Sequence, residues 1–590
     1  MKTIKIIIIS LLVGLNLASC DFLEKDPTYT TPENYFKNEA DAASWLTGTY
    51  AILGQSSFYG NEFLYLVGGD DLGHYGGANR GPNKSGLICN NANTSDPTVA
   101  ALWYTLYSGI NRANIFLENI DAVPDINDDT RKQYKAEARF LRAFYYFTLV
   151  ECWGDVPFKT TSTEDAYNLS IPRTDKQTIY DFIIKEMYGS AEDLKSAQEL
   201  NYLPGRVSKS AAWGMLARVY MFRAGEPKRD KEVGLANSTT SAEITEYFKK
   251  ASYYAQLVKN EGHSLTAKYW DFFIDICSDK YNTALNKDGA KANESIWEVE
   301  FAGNRSTDVR AEGRIGNIIG IQGKDLSSKA SITGKGDPGY AYAFIWNTPK
   351  LLELYEANGD IDRCNWNIAP FTYTQSAGEG TPVDGREFVK GKRDEVKQQY
   401  WDKSFSYGET EPGSTYGDRE SKNDANKNRN RAAAKYRREY EADKKSKNDT
   451  SINFPLLRYS DILLMIAEAE NEVNHGPNDL AYECINAVRE RAGISKLQAN
   501  LDEENFRKAI KDERAMELCF EYTRRFDLIR WGDYYKLMQE QVDKAQTDES
   551  WKFGINVYTY FNIPKSYNYF PIPANEIGSN GAIKTNNPGW

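Results

Sequence analysis

The chain has 590 residues, 41% of them hydrophobic and 26% charged, ordinary proportions for a globular protein with a large core. Its net charge of −11 excludes a polyanion such as DNA as natural partner, because phosphate binding requires a basic surface that releases counterions. The seven cysteines include no CxxC pair, which excludes a zinc ribbon or a dithiol redox motif, and they are too sparse for a disulfide scaffold. Aromatic residues make up 13% of the chain; most belong in the core, and a few are available to stack on flat ligand faces.

In chain order, residues 1–19 carry Lys2 and Lys5, then an apolar run, then Leu17, Ala18 and Ser19 before Cys20. This is a signal peptide, too short to span a bilayer. The sequence LASC resembles a lipobox, which implies cleavage before Cys20 and lipidation of its sulfur with two or three acyl chains, enough for stable anchoring. Residues 33–54 read as a helix with Tyr35, Phe36, Trp45, Leu46 and Tyr50 at its apolar positions. Residues 58–97 are crowded with Gly and Asn and form a long loop of the kind that is usually functional. This loop holds Asp70, Asp71, His74, Tyr75, Arg80 and Asn83, a mixture of bidentate hydrogen bonders and rings suited to a sugar. Its GGANRG stretch does not match GxGxxG, so no nucleotide cradle is expected.

Two amphipathic helices follow at 103–120 and 131–153, joined by DAVPDINDDT. That linker has alternating acids but no glycine or closing glutamate for a calcium loop, and reads as a helix-capping turn. Further helices are expected over 178–194, 211–222 and 247–258, with Ala211, Ala212 and Ala217 as close contacts. Helix pairs of this length look like tetratricopeptide units, which bury their apolar faces only by stacking. From 264 to 455 helical periodicity weakens: SIWEVEFAGNR reads as a strand, and GYAYAFIW supplies Tyr340, Tyr342 and Trp346 as candidates for an aromatic platform, with Trp366 a weaker one. Residues 418–447 contain eleven Lys or Arg against six Asp or Glu and few apolar residues, which predicts a mobile surface insertion.

Three apolar-striped segments then run from 454 to 535. Leu456, Tyr459, Leu463, Ile466 and Val473 share one helical face, and Leu480, Cys484 and Val488 repeat the pattern up to Gly493, placed to end the second helix. Asn500 and Glu503 read as a capping box opening a third helix, with Phe506, Ile510 and Leu518 on its apolar face. This third segment places Glu513, Glu517 and Glu521 four residues apart among Arg514, Arg524, Arg525 and Arg530. Carboxylates so spaced on one helix point the same way, whereas glycoside hydrolysis needs two held across a sugar; the expected role is an ion-pair lattice fixing the helix to its neighbours.

The ordered motifs PLLRYSDILLMIAEAENE, INAVRERAG, KDERAMELCFEYTRRFDLIRWGD, FPIPANEI and NNPGW resemble the C-terminal half of SusD/RagB-like proteins. The resemblance extends over nearly the whole mature chain and implies a mainly α fold: a tetratricopeptide-type helix-pair scaffold with long loops and a few short strands. It implies a signal peptide over 1–19, a helical part over 20–260 and a C-terminal part over 261–590 with ligand-side loops and the charged insertion near 418–450, all in one structural unit. It also implies a lipid-anchored protein at the outer-membrane surface that captures oligosaccharides for a SusC-like TonB-dependent transporter. The candidate ligand residues are Asp71, His74, Tyr75, Arg80, Asn83, Tyr340, Tyr342 and Trp346. Neither HExxH nor GxSxG occurs, the three histidines are scattered, and no cofactor, metal site or catalytic residue is expected. The alternatives are a peptide receptor of the same transporter-associated type, an all-α glycoside hydrolase, or a repeat scaffold for protein assembly.

Overall fold

The long N-terminal helices begin where the sequence supplies both an apolar stripe and a side-chain cap. Asp96 opens one by accepting the Thr98 N–H at 2.8 Å, and Asn127 opens another by accepting the Thr130 N–H at 2.8 Å with Asp128 and Asp129 in the first turn. The linker at 121–130 is thus a capping turn. The computed structural model describes residues 35–64, 69–75, 90–163, 170–301, 313–321, 341–369, 382–383, 386–387, 431–441, 449–547 and 560–590. Residues 1–34, including Cys20, lie outside them.

The first helices are α1 (Glu39–Tyr50), α2 (Pro97–Asn119), α3 (Asp128–Trp153), α4 (Lys176–Asp193), α5 (Lys209–Glu232) and α6 (Ser241–Lys259). Shorter ones follow: α7 (Tyr269–Cys277), α8 (Ile315–Ile318), α9 (Pro349–Asn358) and α10 (Ile361–Asn367). The C-terminal series comprises α11 (Tyr459–Asn474), α12 (Asp479–Arg491), α13 (Glu503–Leu518), α14 (Thr523–Trp531), α15 (Tyr534–Thr547) and α16 (Ala574–Ser579). The strands are β1 (Gly73–Tyr75), β2 (Val156–Pro157), β3 (Arg173–Thr174), β4 (Ser295–Val299), β5 (Ile345–Asn347), β6 (Pro382–Val383), β7 (Arg386–Glu387) and β8 (Phe454–Arg458). They form antiparallel two-stranded ribbons β1–β5, β2–β3, β4–β8 and β6–β7. The fold is mainly α with a few short strands, as expected.

Each of α2 to α6 packs on the helix before it, which is the stacking logic of helix pairs. Helix α6 then packs on α11, and α11 on α12 and α13, so the array skips residues 260–458 and resumes beyond them. That excursion leaves and returns through one ribbon: β4 pairs with β8 from Ser295↔Arg458 to Val299↔Phe454. Small residues permit the close approach there. Ala211, Ala212 and Ala217 are fully buried, and a Cβ on Gly214 would stand 2.3 Å from a Leu457 methyl.

Four local expectations are corrected. The first helix starts at Glu39 because Asn38 caps it; Tyr35 and Phe36 precede it, their ring centroids 5.1 and 5.2 Å from that of Trp45. The cap of α13 is Asp502, which accepts the Asn505 N–H at 2.8 Å, while Asn500 takes a left-handed turn with φ 64°. The third segment is not one helix: α13 ends at Leu518, and Phe520 and Tyr522 have φ of 61° and 75° before α14 begins. Finally, Arg431–Glu441 is interior, with Arg431, Lys435, Arg437, Arg438 and Glu441 all buried, whereas 418–430 and 442–448 lie outside the described residues. The charge count misled because partners far along the chain neutralise these residues.

The break after Leu518 shows how. Carbonyls freed at the end of a helix require donors. Met516 O receives the Tyr355 hydroxyl at 2.8 Å, Glu517 O receives Arg458 Nη2 at 2.7 Å and Lys435 Nζ at 2.9 Å, and Cys519 O receives Lys435 at 2.8 Å. Around them lies the anticipated lattice. Arg458 meets Glu517 at 2.6 Å, Glu521 at 2.6 Å and Glu294 at 3.1 Å; Glu517 also binds Arg363 at 2.8 Å and Arg491, and Glu513 binds Arg363 at 2.7 Å and Arg489 at 2.9 Å. Glu521 belongs to the turn and not to the helix.

Arg458→Met should lower the unfolding free energy by about 3–5 kcal/mol, because it strands buried carboxylates without their partner. A shift of the urea midpoint worth less than about 1 kcal/mol, the scale of an exposed pair, would show that this lattice does not hold the helices together. Acid should act on the same groups. Burial raises the Glu468 carboxyl, but Arg530 and Trp531 outweigh it and hold it at about 2; Asp461 is held well below the carboxylate range by Arg514 and Arg218 against the same effect. A depressed carboxyl stabilises the fold above its unfolded value, near 4.5 for Glu468, and that contribution is lost as pH falls through the folded value. The thermal midpoint should therefore drop as pH falls from about 5 to about 2, and Glu468→Gln should lower the midpoint at pH 7 while flattening part of that slope.

Candidate functional site

The excursion of 260–458 brings together two segments far apart in sequence. Strand β1 pairs with β5 through Gly73↔Asn347, His74↔Trp346 and Tyr75↔Ile345. Residues 431–433 extend the patch: Asn347 N–H donates to Arg431 O at 3.0 Å, and Ala433 N–H to Ile345 O at 2.9 Å. The turn leading into β5 is pinned by its backbone. Asn317 O accepts the N–H groups of both Tyr342 and Ala343 at 3.1 Å, Ile318 O accepts that of Phe344 at 3.0 Å, and Ala343 takes φ 50°. A left-handed alanine persists only when its surroundings over-determine it.

This backbone sets three rings in a pile. Tyr75 stacks on Phe344 with centroids 5.6 Å apart and planes 18° from parallel, and Phe344 stacks on Tyr342 at 5.0 Å and 5°. All three, and Trp346 beside them, are partly exposed. The Trp346 indole N–H donates to Ala343 O at 3.0 Å, which folds the ring back over the turn. Such a surface offers flat apolar ring area beside backbone and hydroxyl polar atoms, the combination that amphipathic ligands use.

Two of the acids and bases expected at the ligand lie behind the rings. Asp71 is fully buried and accepts Arg524 at 2.8 Å through both oxygens and Lys350 at 2.5 Å. Burial raises its carboxyl, but Arg524 and Lys350 overcome that and hold it well below the usual range. Asp70 is pushed up to about 8, by burial and then by the Asp71 charge. His74 is 1% exposed, edge-on to Tyr560 and Phe561, and burial drives it down to about 3, so it is a neutral core ring near pH 7. Asp71 and His74 therefore support the strand from its buried side. Trp366 is also core: it is fully buried, donates to Lys435 O at 3.0 Å and lies under the Arg437 guanidinium. Arg80, Asn83 and Tyr340 lie outside the described residues.

Of the candidates, Tyr75 and Tyr342 converge on Phe344, while Trp346 pairs with His74 across the ribbon and is tied back to Ala343. Sequence reasoning passed over Phe344, the central ring, although the alternation of aromatic and small residues in YAYAFIW contains it. Asn317 and Lys350 carried no local signal. An interior cavity of 40 Å³ bordered by Tyr59, Glu151, Arg218 and Asp527 has room for water only. Among the described residues no cluster of His, Cys, Asp or Glu is placed to hold a metal ion.

Comparison with known proteins agrees with this architecture. The SusD family model matches residues 293–590, just over half the chain, and a model described as "Starch-binding associating with outer membrane" matches residues 21–221. A SusD-like protein of Formosa agariphila is 26% identical, covering 99% of this chain and 98% of its own. A SusD homologue from Bacteroides thetaiotaomicron has a crystal structure that superposes with a TM-score of 0.74 at 24% identity, covering 96% of this chain and 100% of its own. A laminarin-binding SusD-like protein superposes with a TM-score of 0.62 at 22% identity, over 94% of this chain and 100% of its own. Family motifs at both ends of one continuous helix array leave a single assignment: the chain belongs to the SusD family.

Proposed function

We propose that the protein is a cell-surface glycan-binding protein, anchored in the outer membrane through Cys20, that captures oligosaccharides and passes them to a SusC-like TonB-dependent transporter. The observation that carries the binding step is the ring pile of Tyr75, Phe344 and Tyr342, with the partly exposed Trp346 on the strand that Phe344's turn leads into. A pyranose presents a face of C–H groups that is dry on an aromatic ring, and its hydroxyls then turn to polar neighbours. Support also comes from the relatives: one matching family is described as starch-binding, and one structural neighbour binds laminarin. Binding without hydrolysis fits the state of Glu517. A glycosidase acid must hold a proton near its working pH. Glu517, raised by burial but lowered further by Arg491, Arg458 and Arg363, lies well below the carboxylate range and is closed to a substrate.

Membrane attachment rests on the LASC sequence and the family description; no described helix is long and apolar enough to cross a bilayer. Cys20→Ala in the full chain should move the protein from the membrane fraction to the soluble fraction. Retention of that variant in detergent-extractable membranes would reject Cys20 as the anchor.

Calorimetric titration of the chain lacking residues 1–20 against starch-derived, laminarin-derived and other plant and microbial oligosaccharides should show binding that Tyr342→Ala weakens about tenfold, the scale of one lost ring contact. Trp346→Ala and Tyr75→Ala should weaken it in the same direction. Unchanged affinity in all three would remove the ring pile from the binding site. Binding of mixed peptides and no glycan would turn the reading into a peptide receptor.

A further inference from the structure

A second cleft, of 460 Å³, lies between α2, residues 157–163 with Ser170 and Ile171, and α16. This is within the range of small-ligand sites, and none of the rings of the β1–β5 patch lines it. Its base is apolar: Trp103 and Tyr146 are buried, with Trp103 wedged edge-on against Trp153 at 5.2 Å. Its wall includes Tyr104, which is 44% exposed at a position where the neighbouring aromatic rings are covered. Tyr107, also on the wall, has its hydroxyl committed to Pro157 O at 2.7 Å.

The polar groups of the cleft divide into two sets. Asn114 is structural, donating to Thr161 O at 2.9 Å and accepting Arg142 at 2.8 Å. Lys159, Glu576 and Asn111 are not used up. Lys159 and Glu576 both line the cleft, and their charged side chains form no ion pair with one another or with any other described residue. Glu576 accepts only Asn580 Nδ2, at 3.0 Å. Asn111 accepts the Thr163 N–H at 2.9 Å through its oxygen, which leaves its amide hydrogens without a partner among the described residues. Partial burial and then the charge of Glu576, which lines the same cleft, hold the Tyr104 phenol above its ordinary range.

An open ring flanked by an ammonium, an amide donor and a carboxylate acceptor is a set that can bind neighbouring hydroxyls on one sugar while the ring takes its C–H face. We infer that this cleft is a second saccharide site, for a short oligosaccharide segment, in which Tyr104 stacks, Glu576 accepts and Lys159 and Asn111 donate. It shares its ligand class, and no residue, with the site proposed above. Two sites on one anchored chain would hold a long glycan by avidity, the second contact forming at the high local concentration set by the first.

The test uses the chain lacking residues 1–20 and three linear hexasaccharides, from an α-glucan, a β-glucan and a xylan, with a dipeptide as the control. Titration calorimetry is run on the parent, on Tyr342→Ala, on Tyr104→Ala/Glu576→Gln, and on the combined variant. Both altered cleft residues are at the surface, so the fold should survive, and an unchanged thermal midpoint checks it. The expected result is residual saccharide binding in Tyr342→Ala that falls at least tenfold in the combined variant. No residual binding in Tyr342→Ala, or residual binding that Tyr104→Ala/Glu576→Gln leaves intact, overturns the second site and leaves the ring pile standing. Binding lost entirely in Tyr104→Ala/Glu576→Gln and untouched in Tyr342→Ala supports the cleft and overturns the ring pile. Silence toward every saccharide overturns both, and dipeptide binding that depends on Glu576 overturns the ligand class of the cleft.

Discussion

Arg458 stands where strand β8 turns into helix α11, with 2% of its side chain exposed, and its guanidinium joins carboxylates that the chain delivers from three places. It meets Glu294 before β4, Glu517 on α13 and Glu521 in the turn beyond, while Glu517 reaches on to Arg363 of α10 and Arg491 of α12. A planar fork with five N–H donors can serve several carboxylates at once, which a lysine ammonium cannot do with the same geometry. Charges removed from water at this depth are tolerable only as a complete set, so the lattice admits one relative placement of these elements. The 260–458 excursion must close here for the helical array to continue from α6 to α11.

The ring pile hangs from the same framework. Arg524, on the helix that follows the break, holds both oxygens of Asp71, and Lys350 at the start of α9 holds the same carboxylate from the β5 side. Strand β1 is thereby tied to the scaffold, and its pairing with β5 positions Tyr75 against Phe344. Rings fixed in this way lose little conformational freedom when a ligand arrives, because the cost of ordering them was met on folding. The strained Ala343 is the local sign of that arrangement: its left-handed backbone is held by the Asn317 and Ile318 carbonyls on either side of it.

Acidic residues close together on a helix invite a catalytic reading, and the tertiary contacts redirect it. Glu513 and Glu517 lie one turn apart on α13, yet each is saturated by arginines from α10 and α12 and none of that surface reaches solvent. The same contacts explain why a basic stretch such as Arg431–Glu441 can be interior. Lys435 ends in a ring of two carbonyls and one carboxylate, and Arg437 lies 4.2 Å from the centre of Trp366 while donating to three carbonyls.

By itself the sequence determined where most helices lie and the mainly α class, since each follows from residues within a few turns of one another. The apolar stripe of α11, Asn127 before α3 and Gly493 after α12 are all local signals. It also determined the family, through ordered motifs, and the acid–arginine lattice as a type of interaction. The break after Leu518 escaped it, because the donors that make the break tolerable are Tyr355, Lys435 and Arg458, remote in the chain. The candidate site was legible only in part. Tyr75, Tyr342 and Trp346 were visible as aromatics in glycine-rich surroundings, but whether a polar residue beside them faces outward or inward depends on its partner. Asp71 and His74 turned inward because Arg524 and the Tyr560–Phe561 pair wait there, more than 400 residues further along the chain. Periodicity decides what a segment becomes; only the folded chain decides which charge meets which, because that energy depends on distance in space and not on distance in sequence.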